Sequence, residues 1–216
     1  MKTFDRYFHF MSCADFVVKA LQKHQNQQSS ERQKLYKHRK KCYDSPNKYL
    51  GMIIDDMEQK KTLLPHFVCT PKNLQEENFI QFHLVGCMVF NGKMCPRVYF
   101  TAPNIHNDAN LTITIIHHVL THWSGNIPQI LYLQLDNTSR ENKNQIVFGY
   151  LSMLVEMGIF QKVKVGFLLV GHTHDHIDQM FSHFSVTLKR KNVGSLPSSI
   201  ECIKNEYIPE HVFHIL

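Results

Sequence analysis

The stretch FLLVGHTHDHIDQMF, residues 167–181, places His172, His174 and His176 with Asp175 and Asp178 behind an apolar run. Imidazole nitrogens suit zinc and its neighbours, whereas carboxylate oxygens suit Mg²⁺ and Mn²⁺. Two further aspartates close apolar runs of strand type: Asp55 ends YLGMIID (49–55) and Asp136 ends QILYLQLD (129–136). Asp178 follows His174 by four residues, which puts the two on roughly the same face of a helix. Successive members of the set Asp55, Asp136 and Asp178 lie 81 and 42 residues apart. Adjacent parallel strands bring their ends together, and a helix returning over that edge can complete a carboxylate cluster around Mg²⁺ or Mn²⁺.

Three chemistries use letters of this kind. The metallo-β-lactamase type of zinc hydrolase needs H-x-H-x-D-H. Here His172-Thr173-His174-Asp175-His176 lacks one residue between the second His and the Asp, a slip of about 100° on a helix that turns the ligands apart. The calcineurin-like metallophosphoesterases carry G-H-x-H after a strand, as Gly171–His174 does, but their D-x-H, GDxxD and GNH[DE] blocks are missing. The three-aspartate set is the better supported. LQLDNTSRENKN (133–144) and VGHTHDHIDQMFS (170–182) together resemble the ribonuclease H-like superfamily of DDE/DDD transposases and retroviral integrases. Within it they are similar to a transposon-associated eukaryotic family with a D-N-x4-N-K-N block, a G-H-T-x4-D block and an earlier I-D-G-M-type strand end. MIIDDMEQ (52–59) fits that last element, with Asp56 where the family pattern has Gly.

The resemblance spans roughly residues 49–190. It implies Asp55, Asp136 and Asp178 as catalytic metal ligands for two Mg²⁺ or Mn²⁺ ions, and phosphodiester cleavage or strand transfer on nucleic acid, DNA first. It implies supporting roles for Asn137, Glu141, Asn142, His172 and His174. Arg140, Lys143, Lys189, Arg190 and Lys191 would contact phosphates without reading sequence. Many superfamily members have Glu as third acid, where this chain has Asp178. A domesticated copy without activity would be a non-catalytic nucleic-acid-binding module on the same fold. A plainer role competes at each position: an Asp at a strand end is commonly a turn former or helix cap. On that footing Asp175 is the N-cap of the last helix and Glu141 a helix first-turn charge.

The elements that must position these residues follow from periodicity and punctuation. A helical arm is expected over 10–44, restarting after the polar break QNQQSS, and DSPN (44–47) is a turn. FIQFHLVGCMVF (79–90) and CPRVYFT (95–101) flank Asn91-Gly92, a strong hairpin signal, with Pro96 suited to a strand start or an edge. Residues 108–123 are expected as a helix with Leu111, Ile115, Val119 and Trp123 at spacings of four, Asp108 as cap and Gly125 at the close. A strand follows at 129–136, a helix at 144–160, a strand at 163–170, a helix from Asp175 with a basic tail, and a short helix at 198–207. The order from Tyr49 is β-β-β-α-β-α-β-α, an α/β mixed sheet of ribonuclease H-like type. The expected domains are a basic helical arm at 1–45, the ribonuclease H-like domain at 46–191 and a short extension at 192–216. His118 and His122 form an i, i+4 pair with no third ligand evident in the sequence.

The chain has 216 residues, 43% of them hydrophobic, enough for one ordinary core. No apolar run is long enough to span a membrane, and the N-terminus mixes Asp, Arg and His into its apolar stretch, unlike a secretory signal. Six cysteines without CxxC spacing read as reduced thiols, which places the protein in the nucleus or cytoplasm. The net charge of +6 is concentrated in KLYKHRKKC (34–42) and LKRK (188–191), a footprint suited to a polyanion. Oligomerisation is left open by the sequence.

Overall fold

The structure is a computed structural model. It describes residues 2–168, 176–206 and 212–216, and the side chains of these except 2–15, 76, 168, 205, 206 and 212. The chain forms two compact units, 1–38 and 39–216. The first is helical and belongs to α1 (Lys2–Asp44), which runs without interruption through QNQQSS. That stretch is polar but holds neither Gly nor Pro, so nothing in it forces the restart expected from its composition.

The second unit is a mixed α/β structure around a six-stranded sheet. Its strands are β1 (Tyr49–Asp56), β4 (Leu84–Asn91), β5 (Lys93–Phe100), β6 (Ile130–Asp136), β7 (Lys162–Leu168) and β8 (Val212–Ile215). A two-stranded ribbon, β2 (Leu63–Leu64) with β3 (Ile80–Gln81), stands apart. The order across the sheet is β7-β6-β1-β4-β5-β8. The pairs β1–β6, β6–β7 and β5–β8 are parallel; β1–β4 and β4–β5 are antiparallel. The helices are α2 (Ala109–Thr121), α3 (Gln145–Glu156), α4 (His176–Lys189) and α5 (Leu196–Glu206). No helix among the described residues is long and apolar enough to cross a membrane.

Local chemistry explains most of these boundaries. Gly92 turns the β4–β5 hairpin at φ 68°, as Asn-Gly predicts. Pro96 pairs only toward β4, because β8 begins its pairing at Arg97, so the missing amide on the far side costs no ladder bond. The Asp108 side chain caps α2 by accepting from the Asn110 and Leu111 amides at 2.8 and 3.3 Å. Asn144 caps α3 in the same way through the Ile146 and Val147 amides at 3.1 and 3.0 Å. The helix expected to reach residue 160 stops at Glu156, and Gly158, at φ 72°, turns the chain out of it.

The strand expected over 79–90 is divided. Ile80–Gln81 belong to the ribbon, Phe82 and His83 interrupt, and the main-sheet strand begins at Leu84. The C-terminal segment contributes α5, which overlaps the short helix expected at 198–207, and an edge strand, β8, that the sequence did not suggest.

Pleat alternation sorts the sheet into two faces. Leu50, Met52 and Ile54 of β1 join Leu131, Leu133 and Leu135 of β6 in one core cluster with α2 and α3 residues such as Ile115, Val119, Val147 and Leu151. The opposite face carries Gly51, Ile53 and Asp55 on β1, and Tyr132, Gln134 and Asp136 on β6. At Gly86 of β4 an added Cβ would meet Met180 Cε at 2.8 Å, Phe181 Cζ at 3.1 Å and Ile177 Cγ2 at 3.3 Å. The absent side chain is therefore what lets the first turns of α4 sit down on this face.

Candidate functional site

Strand pairing decides where the aspartates go. Ile54 is the partner of Leu135 in the parallel β1–β6 pair, so the next residues, Asp55 and Asp136, stand side by side at the carboxyl ends of adjacent strands. Both belong to the face covered by α4. Gly86, where α4 rests, is the direct antiparallel partner of Asp55. Asp178 lies between Ile177 and Met180 in the first turn of that helix. One strand end, its parallel neighbour and one seated helix thus bring the three acids to the same edge.

The electrostatics reflect that placement. Burial pushes the Asp55 carboxyl up to about 7, with the charges of Asp56, Asp178 and Asp136 adding to the rise and the Asp56 N–H opposing it. That N–H donates to Asp55 Oδ1 at 2.9 Å. Asp136 Oδ1 accepts from the Asn137 amide at 2.6 Å. Asp56 faces the α2 side of the sheet and is also pushed up to about 7, first by burial and then by Glu141 and Asp136; a hydrogen bond from Asn107 Nδ2 works against this. A cavity of about 220 Å³ opens here, lined among others by Asp55, Asp56, Asp136, Glu141, Asn107 and His83. Burial lowers the His83 pKa, with the Glu141 carboxylate working against it.

The polar block after Asp136 divides into separate tasks. Asn142 is buried and braces the loop: it accepts from Thr112 Oγ1 of α2 at 3.0 Å and donates to Thr138 Oγ1 at 3.2 Å. Glu141 accepts from Thr138 Oγ1 at 2.9 Å, so it belongs to the loop before α3 and not to the helix first turn. Asn144 caps α3 and donates to the Ser139 and Arg140 carbonyls at 3.3 and 3.0 Å. Exposed Asn137 accepts from Lys143 Nζ at 3.5 Å, and that ammonium lies 5.5 Å from the Phe167 ring centroid.

Arg140 is exposed on the same loop. Lys189 closes α4, and Arg190 and Lys191 follow it, all three exposed. At about 1.5 Å per residue they lie on the order of 16–20 Å along the helix from Asp178, so the structure does not gather them at the acid edge. His172, His174 and Asp175 fall outside the described residues.

Asp56, Asn107 and His83 are the site residues that sequence reasoning left out. Asp56 was visible as the departure from Gly in the strand-end pattern. Asn107 and His83 carried no signal, since a loop Asn and a His beside a strand are common.

The comparison with protein families settles membership. The chain belongs to the family described as Domain of unknown function (DUF7869), whose model matches residues 72–215. The DUF7869 match takes in Asp136, Asp178 and the loop between β6 and α3, and begins after Asp55 and Asp56. No curated protein matches the chain.

The donor set suits a hard divalent cation in type, being carboxylate oxygen throughout. Among the described residues, however, no group of three or more His, Cys, Asp or Glu is drawn together closely enough to hold a metal ion. The acids are neighbours by register and by mutual charge.

Proposed function

We propose that this is a ribonuclease H-like domain of transposase or integrase type, acting in metal-dependent phosphodiester cleavage or strand transfer on nucleic acid, DNA in the first instance. The observation that carries the reading is the side-by-side register of Asp55 and Asp136 beneath the helix that bears Asp178. The strand succession supports it: an antiparallel run β1-β4-β5, then α2, β6, α3, β7 and α4, with β6 and β7 added in parallel beside β1.

On this reading Asp55, Asp136 and Asp178 would hold Mg²⁺ or Mn²⁺. When bound, such ions activate the attacking hydroxyl and stabilise the leaving oxygen. The chain's own contribution is to concentrate negative charge at a partly enclosed edge. Burial pushes the Asp55 carboxyl up to about 7, so a cation held there would displace its proton. The Thr112–Asn142–Thr138 brace holds the loop that follows Asp136, and the Asn137 N–H at its start donates to the Asp136 carboxylate.

The test is Mn²⁺-dependent nicking of DNA by the wild type and by Asp136→Asn. A rate at least a hundredfold lower in the variant is expected, and equal rates remove the enzymatic reading. A second reading, a non-catalytic nucleic-acid-binding module on the same fold, is favoured by the exposed basic side chains of Lys162, Lys164, Lys189, Arg190 and Lys191. DNA binding with no Mn²⁺-dependent nicking by either protein decides for it.

A further inference from the structure

On the face that carries Asp136, three ammonium groups converge on one pair of aromatic rings. Tyr49 and Tyr132 stack with centroids 5.5 Å apart and planes 15° from parallel. Lys41 Nζ and Lys48 Nζ lie 5.6 and 5.7 Å from the Tyr49 centroid, and Lys164 Nζ lies 5.6 Å from that of Tyr132. Lys41 also works against the rise that burial causes in the Tyr132 pKa. Among the described residues, no ion pair involves any of these three lysines. The tyrosine faces give these ammonium groups a partial counterpart but no counter-charge. The arrangement is therefore suited to an anion brought from outside.

Register shows where that anion leads. Tyr132 pairs with Lys164, Gln134 with Gly166, and Asp136 with Leu168. Tyr132, Gln134 and Asp136 share a face at steps of two residues, so the lysine cluster stands about 13 Å along the strand from Asp136. Between them the floor is low: the Gln134 side chain lies across Gly166, its Oε1 2.5 Å from where a Cβ would be. β7 is the outer strand of this side of the sheet, and Lys162 and Lys164 are exposed on it. Tyr132 is only 6% exposed, so the rings position ammoniums rather than stack on bases.

We propose that this strip, Lys41, Lys48 and Lys164 over Tyr49 and Tyr132, with Lys162 beside it, binds the phosphodiester backbone of a single-stranded nucleic acid and leads it across Gln134 and Gly166 toward Asp136. The choice of nucleic acid among polyanions rests on the functional reading above. The cation cluster itself does not depend on it.

The test is fluorescence anisotropy of a labelled 30-nucleotide single-stranded DNA with the full chain in EDTA, so that no divalent ion takes part. The wild type is expected to bind with an affinity that falls steeply with salt. The triple variant Lys41→Ala/Lys48→Ala/Lys164→Ala should lose at least tenfold in affinity, and its log–log salt slope should be shallower by about 2, at ~0.7 per lost phosphate contact. The triple Arg variant keeps the charge and should bind within threefold of wild type; Lys164→Glu alone should bind more weakly than any of these but the triple Ala variant. Asp136→Asn should bind at least as tightly as wild type, so a failure of the catalytic reading shows in the nicking assay and leaves this measurement untouched. Unchanged affinity and slope in the triple Ala variant, or no salt-dependent binding by wild type, overturns the proposal. So does competition by poly-glutamate equal to that by unlabelled oligonucleotide, which would mark an acidic protein as the partner.

Discussion

Asp55 offers the sharpest energetic test, because its environment holds its pKa near 7 against an ordinary 3.8. Between roughly pH 4 and pH 7 the folded chain keeps a proton on Asp55 that the unfolded chain has released. Stability must therefore fall as pH rises through that window and level off above it. The rise from 3.8 to about 7 corresponds to about 4 kcal/mol, at ~1.4 kcal/mol for each tenfold change in proton affinity. The carboxyl is only partly enclosed, so about half of that, ~2 kcal/mol, is the expected penalty. Asp55→Asn removes the charge but keeps an Oδ1 that can accept from the Asp56 N–H, as Asp55 does at 2.9 Å. In metal-free buffer at pH 8 the variant should melt about 4–8 °C above wild type, at ~2–4 °C per kcal/mol for a chain of this size. At pH 4 the two should coincide. Differential scanning calorimetry across that pH range measures both, and Mn²⁺ added at pH 8 should raise the wild-type melting temperature and not that of the variant. Equal melting temperatures at pH 8, with no decline in wild-type stability between pH 4 and pH 7, would refute the placement of Asp55 in a crowded acidic edge.

Other perturbations probe the parts that build this edge. Gly86→Val should cost about 2–3 kcal/mol by overpacking against Ile177, Met180 and Phe181, and should abolish the Mn²⁺-induced rise in melting temperature by lifting α4; Gly86→Ala, which meets chiefly the mobile end of Met180, should cost ~1 kcal/mol or less. Asn144→Ala removes the α3 cap and two bonds to the preceding loop, and should cost about 1–2 kcal/mol in urea denaturation. His214 gives the opposite pH sign from Asp55: burial, with His118, Arg97 and His122 nearby, lowers its pKa to about 4, so stability should fall as pH drops from 6.5 toward 4, and His214→Gln should flatten that limb of the profile.

The parts of the site that the sequence made legible are those set by strand ends and caps. Asp55 and Asp136 end apolar runs that could only be buried strands, and parallel pairing then forces the two ends together. Asn144 and Asp108 precede apolar periodic stretches and cap them as their side-chain chemistry requires. The missing pieces needed information from distant segments. His118 and His122 lacked a visible companion because His214 reaches them only through β8, a four-residue strand at the chain end; its ring lies 4.2 Å from that of His118. The basic tail at 188–191 drew attention by its density. The lysines around the stacked rings are Lys41, Lys48 and Lys164, single residues scattered over more than 120 positions and united by two tyrosines that are diagonal neighbours on β1 and β6. Gly86 shows the same limit most plainly. In sequence it is a glycine inside a strand, which weakens the strand. In the fold it is the partner of Asp55 and the floor on which α4 rests, so the residue with no side chain fixes how near Asp178 can come to the other two acids.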